Sequence, residues 1–192
     1  MLLTDLFLLK RWPYQHACEA PRAALWASGL LLSTGALFGV LIGLFQRALG
    51  GDIQGVPVDQ ISTGILFGGN LISGILITLV FHGGVTLVVW MMARAVGGPG
   101  QLTSLYRATA YLFPLALPAL PKLALSNAAE GRDVALDMSS GLYSVLAWIG
   151  LILVLGGLYQ LLQVTQGLGP GRTAAAVFLI VLFCFSVLLI SG

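Results

Sequence analysis

Four stretches of this chain, Ala23 to Gln46, Ile61 to Ala93, Met138 to Gly171 and Thr173 to Gly192, contain no charged side chain at all. Each exceeds the roughly 18 residues at which an apolar run reads as a membrane-spanning helix. A soluble fold cannot be built around them, because 58% of the residues are hydrophobic and only 8% are charged, too few to cover a water-facing surface. The runs are continuously apolar rather than alternating, which excludes a β-barrel. In hydrocarbon the remaining way to satisfy the backbone is the α-helix.

A fifth span is expected between Arg107 and Lys122, where ATAYLFPLALPALP reaches spanning length if Leu102 to Tyr106 and Leu123 to Leu125 join it and the Lys122 side chain snorkels. Pro114, Pro118 and Pro121 lie toward one face of that span, and each removes an intrahelical hydrogen bond. The third helix should therefore be kinked or broken, as architecture or to open a site. The run from Ile61 would be about 50 Å long as one straight helix, more than the ~30 Å hydrocarbon core. It is expected to start near Ile65 or to break around Gly68, Gly69 and Asn70. The fold class is thus an all-α, polytopic bundle of five transmembrane helices over residues 23–192. A cytoplasmic segment over residues 1–22 precedes it, either a short helix at the headgroups or a loose tail, and Pro21 suits the first turn of the helix that follows.

Charge sets the orientation. With five spans, Lys10, Arg11, Arg22, Arg94, Arg107 and Arg172 fall on one side. Arg47, Lys122 and Arg132 fall on the other, with the acids Asp52, Asp59, Glu130, Asp133 and Asp137. The positive-inside rule places the N-terminus in the cytoplasm and the C-terminus outside. A net charge of +2 gives no reason to expect nucleic acid as a partner. A cleaved signal peptide is not expected, since the apolar Leu2 to Leu9 precedes Lys10 and Arg11 and the run from Ala23 is too long for an h-region. Cys18 and Cys184 fall at different depths and cannot pair, so neither redox nor metal chemistry is indicated. Cys18 is at most a palmitoylation site.

Packing signals outnumber chemical ones. Gly35, Gly39 and Gly43 form a GxxxG ladder on the first span that lets a second helix, from this chain or from another protomer, approach closely. Gly64 and Gly68, and Gly69 and Ser73, continue the theme on the second. The side chains that could line a polar path are His82 and Asn70, with Ser73, Thr78 and Thr86, and the glutamines Gln160, Gln163 and Gln166. No Asp or Glu sits deep in a run, and no nucleophile, base or metal cluster assembles, so no catalytic residue, metal or cofactor is expected. His82, beside Gly83 and Gly84, reads first as a neutral packing residue and second as a proton carrier.

The segment GGPGQLTSLYRATAYLFPLALP resembles the signature of the Yip family, named for interaction with Ypt/Rab GTPases, at Gly97, Gly98, Arg107, Tyr111 and Pro114. The stretch LGGLYQLLQVTQGLGPGRTAAAVF is similar to that family's fourth helix and the turn into its fifth, at Arg172 and Ala174, and the entry around Pro21 also fits. The resemblance implies a five-helix domain with a cytoplasmic N-terminus and a role in trafficking or membrane shaping. The eukaryotic members are similar in their membrane domain, bind prenylated Rab proteins and carry a long cytoplasmic N-terminal region. Here about 22 residues precede the first span, and the Ala, Leu and Gly bias fits a prokaryotic-type member of the cytoplasmic (inner) membrane. The expectation is a non-enzymatic scaffold or adaptor, with membrane lipids and a membrane protein or its own copies as partners. The alternative is a small transporter, channel or lipid-moving protein using His82 and the glutamines.

Overall fold

The computed structural model describes residues 2–53, 55–129 and 140–191. Two short helices, α1 (Leu2–Phe7) and α2 (Trp12–Glu19), precede α3 (Ala23–Leu49) and α4 (Thr63–Ala95). After them come α5 (Leu102–Thr109), α6 (Leu120–Ala129), α7 (Ser140–Gln166) and α8 (Pro170–Ser191). Among the described residues, five segments are long and apolar enough to cross a membrane: Ala23–Leu49, Thr63–Ala95, Leu102–Ala129, Gly141–Gln166 and Pro170–Val187. The protein is an all-α bundle of the membrane type, with its large apolar side chains turned outward: Val80 is 77% exposed and Ile190 87%. In water that surface would drive aggregation, whereas in lipid it is the solvated face.

The third span is broken where its prolines fall. Helix α5 stops at Thr109, a 3₁₀ turn runs over Ala110–Leu112, and a second over Pro114–Ala119 leads into α6. Pro118 lies inside the second 3₁₀ turn. Tighter i→i+3 winding accommodates residues that cannot donate to the i−4 carbonyl.

Of the two expectations for the second span, the start near Ile65 holds to within two residues and the break at Gly68 to Asn70 does not occur. α4 is one unbroken helix of 33 residues that begins at Thr63 and passes through Gly68, Gly69 and Asn70 without interruption. The physical reason is that Gly68 and Gly69 face open space and nothing wedges into the helix there. Asn70 donates its side-chain amide to the Leu66 carbonyl one turn back at 2.9 Å, an i−4 bond compatible with continued helix. At about 50 Å, α4 must tilt or project beyond the hydrocarbon. Pro21 also sits differently, in the turn ahead of α3, where Trp26 N–H donates to the Arg22 carbonyl.

The chain divides into two compact units. The first comprises residues 1–30, 81–115 and 153–192. Its centre holds Leu6, Tyr14 and Ala17 from α1 and α2, Leu105, Tyr111 and Leu115 from the third span, and Leu161 and Leu162 from α7, all fully buried. The residues ahead of the first span are therefore two helices folded into this core, not a loose tail. The second unit comprises residues 31–80 and 116–152. In it α3 and α4 meet backbone to backbone: a Cβ added at Gly39 would lie on the Asn70 carbonyl oxygen, and one added at Gly35 would stand 2.9 Å from the Ile75 Cα. Gly43 packs under the Phe67 ring. The partner of the Gly35, Gly39 and Gly43 ladder is thus α4 of the same chain, and its reciprocal glycine is Gly74, whose Cβ would meet Gly39 Cα at 2.7 Å. Gly64, Gly68 and Gly69 touch nothing within 4 Å, so the expected continuation of the packing stripe through them is not what the fold uses.

Between α3 and α4 a two-residue ribbon pairs β1 (Asp52–Ile53) antiparallel with β2 (Val56–Pro57). Arg47 closes it, donating from Nη1 to the carbonyls of Val58 at 2.9 Å and Ile61 at 3.3 Å.

Candidate functional site

Polar side chains in the apolar spans gather into separate hydrogen-bonded clusters. The most buried lies in the first unit, on α4 and α5. His82 and Thr86 are one turn apart on α4 and face Thr109 at the end of α5. His82 Nε2 stands 2.9 Å from the Tyr106 carbonyl and 3.0 Å from Thr109 Oγ1, and Thr86 Oγ1 stands 2.7 Å from Thr109 Oγ1. The Thr109 hydroxyl in turn donates back to the Leu105 carbonyl at 2.9 Å. One proton assignment is consistent with all of these: His82 is neutral with its proton on Nε2, and Thr86 donates to Thr109. The imidazole packs edge-on to the Tyr106 ring at 4.6 Å and to Phe113 at 5.7 Å. The cluster sits where α5 gives way to 3₁₀ winding, so it supplies partners to carbonyls at the break.

A second cluster ties the N-terminal helices to α7. Gln160 and Gln163, one turn apart, present their carbonyl oxygens to Arg11, which donates from Nε at 3.2 Å and from Nη2 at 2.6 Å. The same docking explains Gly156 and Gly157: a Cβ on the former would strike Leu9 Cδ1, and one on the latter Leu115 Cδ1 and, at 2.6 Å, the Tyr14 hydroxyl. The Tyr14 side chain is buried and its hydroxyl has no partner among the described residues, so burial pushes its pKa well above the ordinary tyrosine value. Tyr111, fully buried, points its hydroxyl at His16 Nδ1 over 3.5 Å, a contact at the limit of hydrogen bonding. Burial raises the Cys18 thiol as well, and Glu19 beside it adds to the rise. Cys18 accordingly holds less thiolate at neutral pH than a free cysteine and is a weaker acylation nucleophile.

A third cluster builds the turn after α4. Gly97, at φ +85°, and Gly98, whose amide donates to the Ala93 carbonyl at 2.8 Å, close the helix. Gln166 Oε1 accepts the Gly100 amide at 2.9 Å, and Trp90 Nε1 donates to the Gly100 carbonyl at 2.9 Å. Arg94 lies 5.3 Å over the Trp90 ring. Pro114 is buried at the start of the second 3₁₀ turn, and Arg107 is half-buried on α5. In the second unit, Asn70 donates to Gln46 Oε1 at 2.8 Å.

No protein-family model, curated protein or solved structure matches the chain.

The four residues expected to line one polar path, His82, Asn70, Gln160 and Gln163, therefore belong to three different hydrogen-bond clusters, each with its own partners. Sequence reading missed Arg11, Thr109, Tyr14 and Gly74. Arg11 carried a faint signal as a cation between two apolar helical stretches, and Gly74 lies four residues from Asn70 on the helix face that meets α3. Among the described residues, no group of His, Cys, Asp and Glu is arranged to hold a metal ion.

The Arg11 contacts lie near the surface, so solvent screens them and their worth is at the low end for charged hydrogen bonds. Arg11→Ala should raise amide exchange in α1 and α2 about tenfold, which corresponds to about 1.4 kcal/mol, with α4 and α8 unaffected. Exchange unchanged in α1 and α2 would show that apolar contacts alone hold them.

Proposed function

We propose that this chain is a non-enzymatic membrane scaffold or adaptor, a prokaryotic-type member of the Yip family that organises lipids or partner proteins with its N-terminus in the cytoplasm. The observation that supports the reading is that the side chains expected to line a polar path are each paired with neighbours in the fold. Arg11 engages Gln160 and Gln163, Asn70 engages Gln46, and His82 engages Tyr106 and Thr109. A polar group already paired within the fold contributes to shape and is not free to solvate a passing ion. The Gly97–Gly98 turn supports the family reading, since it occurs where the resemblance calls for it.

Cross-linking in native membranes is the direct test, and the expected result is a reproducible adduct with another membrane protein or with a second copy. Recovery of the chain persistently alone would refute the adaptor role.

One observation favours the alternative of transport: His82 Nδ1 is buried without a partner among the described residues, beside the broken third span. That reading requires flux of protons, solutes or lipid across liposomes containing the purified protein. The scaffold reading expects no flux above protein-free vesicles, and flux that falls on His82→Asn would replace it.

A further inference from the structure

An open groove of about 250 Å³ lies in the second unit between α6 and α7, lined by Lys122, Ser144, Ala147, Trp148 and Leu151. Its lining is divided by chemistry. An ammonium group and a hydroxyl stand beside Ala147, Trp148 and Leu151, and Ser144, Trp148 and Leu151 share one stripe of α7 at helical spacing. Beside the groove, Val145, Trp148 and Ile152 of α7 are all more than half exposed.

Lys122 lies within the third spanning segment, two residues into α6. A cation at that depth is costly unless an anion meets it. The ion pair among the described residues joins Lys10 to Asp5, and Lys122 takes no part in it. Ser144 likewise makes no hydrogen bond among the described residues, although a helical serine commonly donates to the carbonyl one turn back. Among the described residues both polar groups of the groove are therefore unengaged.

Depth argues the same way. Ser144 is about one turn from the start of α7 and Trp148 about two, roughly 6 and 12 Å along the axis. Those are the levels of the headgroup boundary and the aromatic belt for a helix of this length.

We infer that the groove binds an anionic phospholipid, its phosphate held by the Lys122 ammonium and the Ser144 hydroxyl and the first part of an acyl chain laid along Ala147, Trp148 and Leu151. The volume takes a headgroup and leaves the rest of the chains in the bilayer. This site is independent of the scaffold proposal, since a transporter would carry it equally well.

Native mass spectrometry tests it, on the purified full chain released from mixed micelles of phosphatidylglycerol and phosphatidylcholine. Wild type should retain phosphatidylglycerol about fivefold over phosphatidylcholine, the scale expected for one lysine against an anionic surface. Lys122→Gln should abolish that preference, Lys122→Arg should keep it, and Ser144→Ala should reduce it. Far-UV circular dichroism of each variant, expected to match wild type, separates a lost site from a lost fold. Equal retention of the two lipids by wild type, or an undiminished preference in a folded Lys122→Gln variant, overturns the inference. So does removal of the bound lipid by inorganic phosphate, which would make the groove a free-anion site. Lipid-free dimers that Lys122→Gln dissociates would identify a second copy as the occupant and overturn it as well.

Discussion

Gly39→Ala is expected to lower stability by about 3 kcal/mol, at the upper end of overpacking costs, because its single added methyl has no flexible neighbour to displace. The Cβ would sit on the Asn70 carbonyl oxygen and 2.8 Å from Leu71 Cα, so α3 and α4 must separate along the whole contact. Lipid supplies no hydrophobic force to hold two helices together, and their association depends on close packing, of which a helix separation of about an ångström forfeits up to half. Gly74→Ala should behave alike, since its Cβ would meet Gly35 O at 2.5 Å and Gly39 N at 2.6 Å. Gly68→Ala is the control on the same helix: it meets nothing within 4 Å and should be neutral or slightly stabilising through helix propensity. Titration with sodium dodecyl sulfate, followed by circular dichroism, reads all three. Equal midpoints for Gly39→Ala and Gly68→Ala would mean that the contact does not hold the second unit together.

That contrast marks what the chain reveals before it folds. The spans were legible because hydropathy is a sum over some twenty residues, and one misjudged side chain does not change it. The break in the third span was legible for a stronger reason: Pro114 and Pro118 cannot donate a backbone hydrogen bond in any environment. Glycine carries less information. Gly39 and Gly68 look the same in sequence, yet one faces a neighbouring backbone and the other open space, because the rotation of α4 about its axis is set by tertiary contacts. The continuity of α4 was misjudged on the same account, since Gly68 and Gly69 permit a break but do not compel one.

The candidate site was legible by residue type and not by grouping. His82, Asn70, Gln160 and Gln163 were found because a polar group in hydrocarbon must have a partner. Their partners were out of reach of sequence reasoning: Arg11 is 149 residues from Gln160, and Thr109 is 27 from His82. A threonine gives no signal of its own either, since its hydroxyl is satisfied as well by a carbonyl on its own helix as by a neighbour across the bundle.

Thr109→Val should cost about 2 kcal/mol, the largest effect of any substitution that leaves the shape of the first unit intact. Valine keeps the β-branched volume and removes the oxygen that accepts from Thr86 and lies 3.0 Å from His82 Nε2. The Thr86 hydroxyl is then orphaned in a fully buried place, and it is this orphaned donor that carries most of the penalty. A second acceptor on α5 limits the loss at His82, whose Nε2 keeps the Tyr106 carbonyl at 2.9 Å. Thr86→Val removes the donor and should cost less, about 1 kcal/mol, near the usual range for one interhelical hydrogen bond in a membrane protein. The double variant should then be more stable than the sum of the two losses predicts, because with Thr86 already valine no hydroxyl remains to be orphaned. Strict additivity would show that the Thr86 hydroxyl finds another partner in the single variant, either water or a carbonyl of its own helix. Where that partner is water, the cluster is hydrated, and the wet surroundings that a proton path through His82 requires are present.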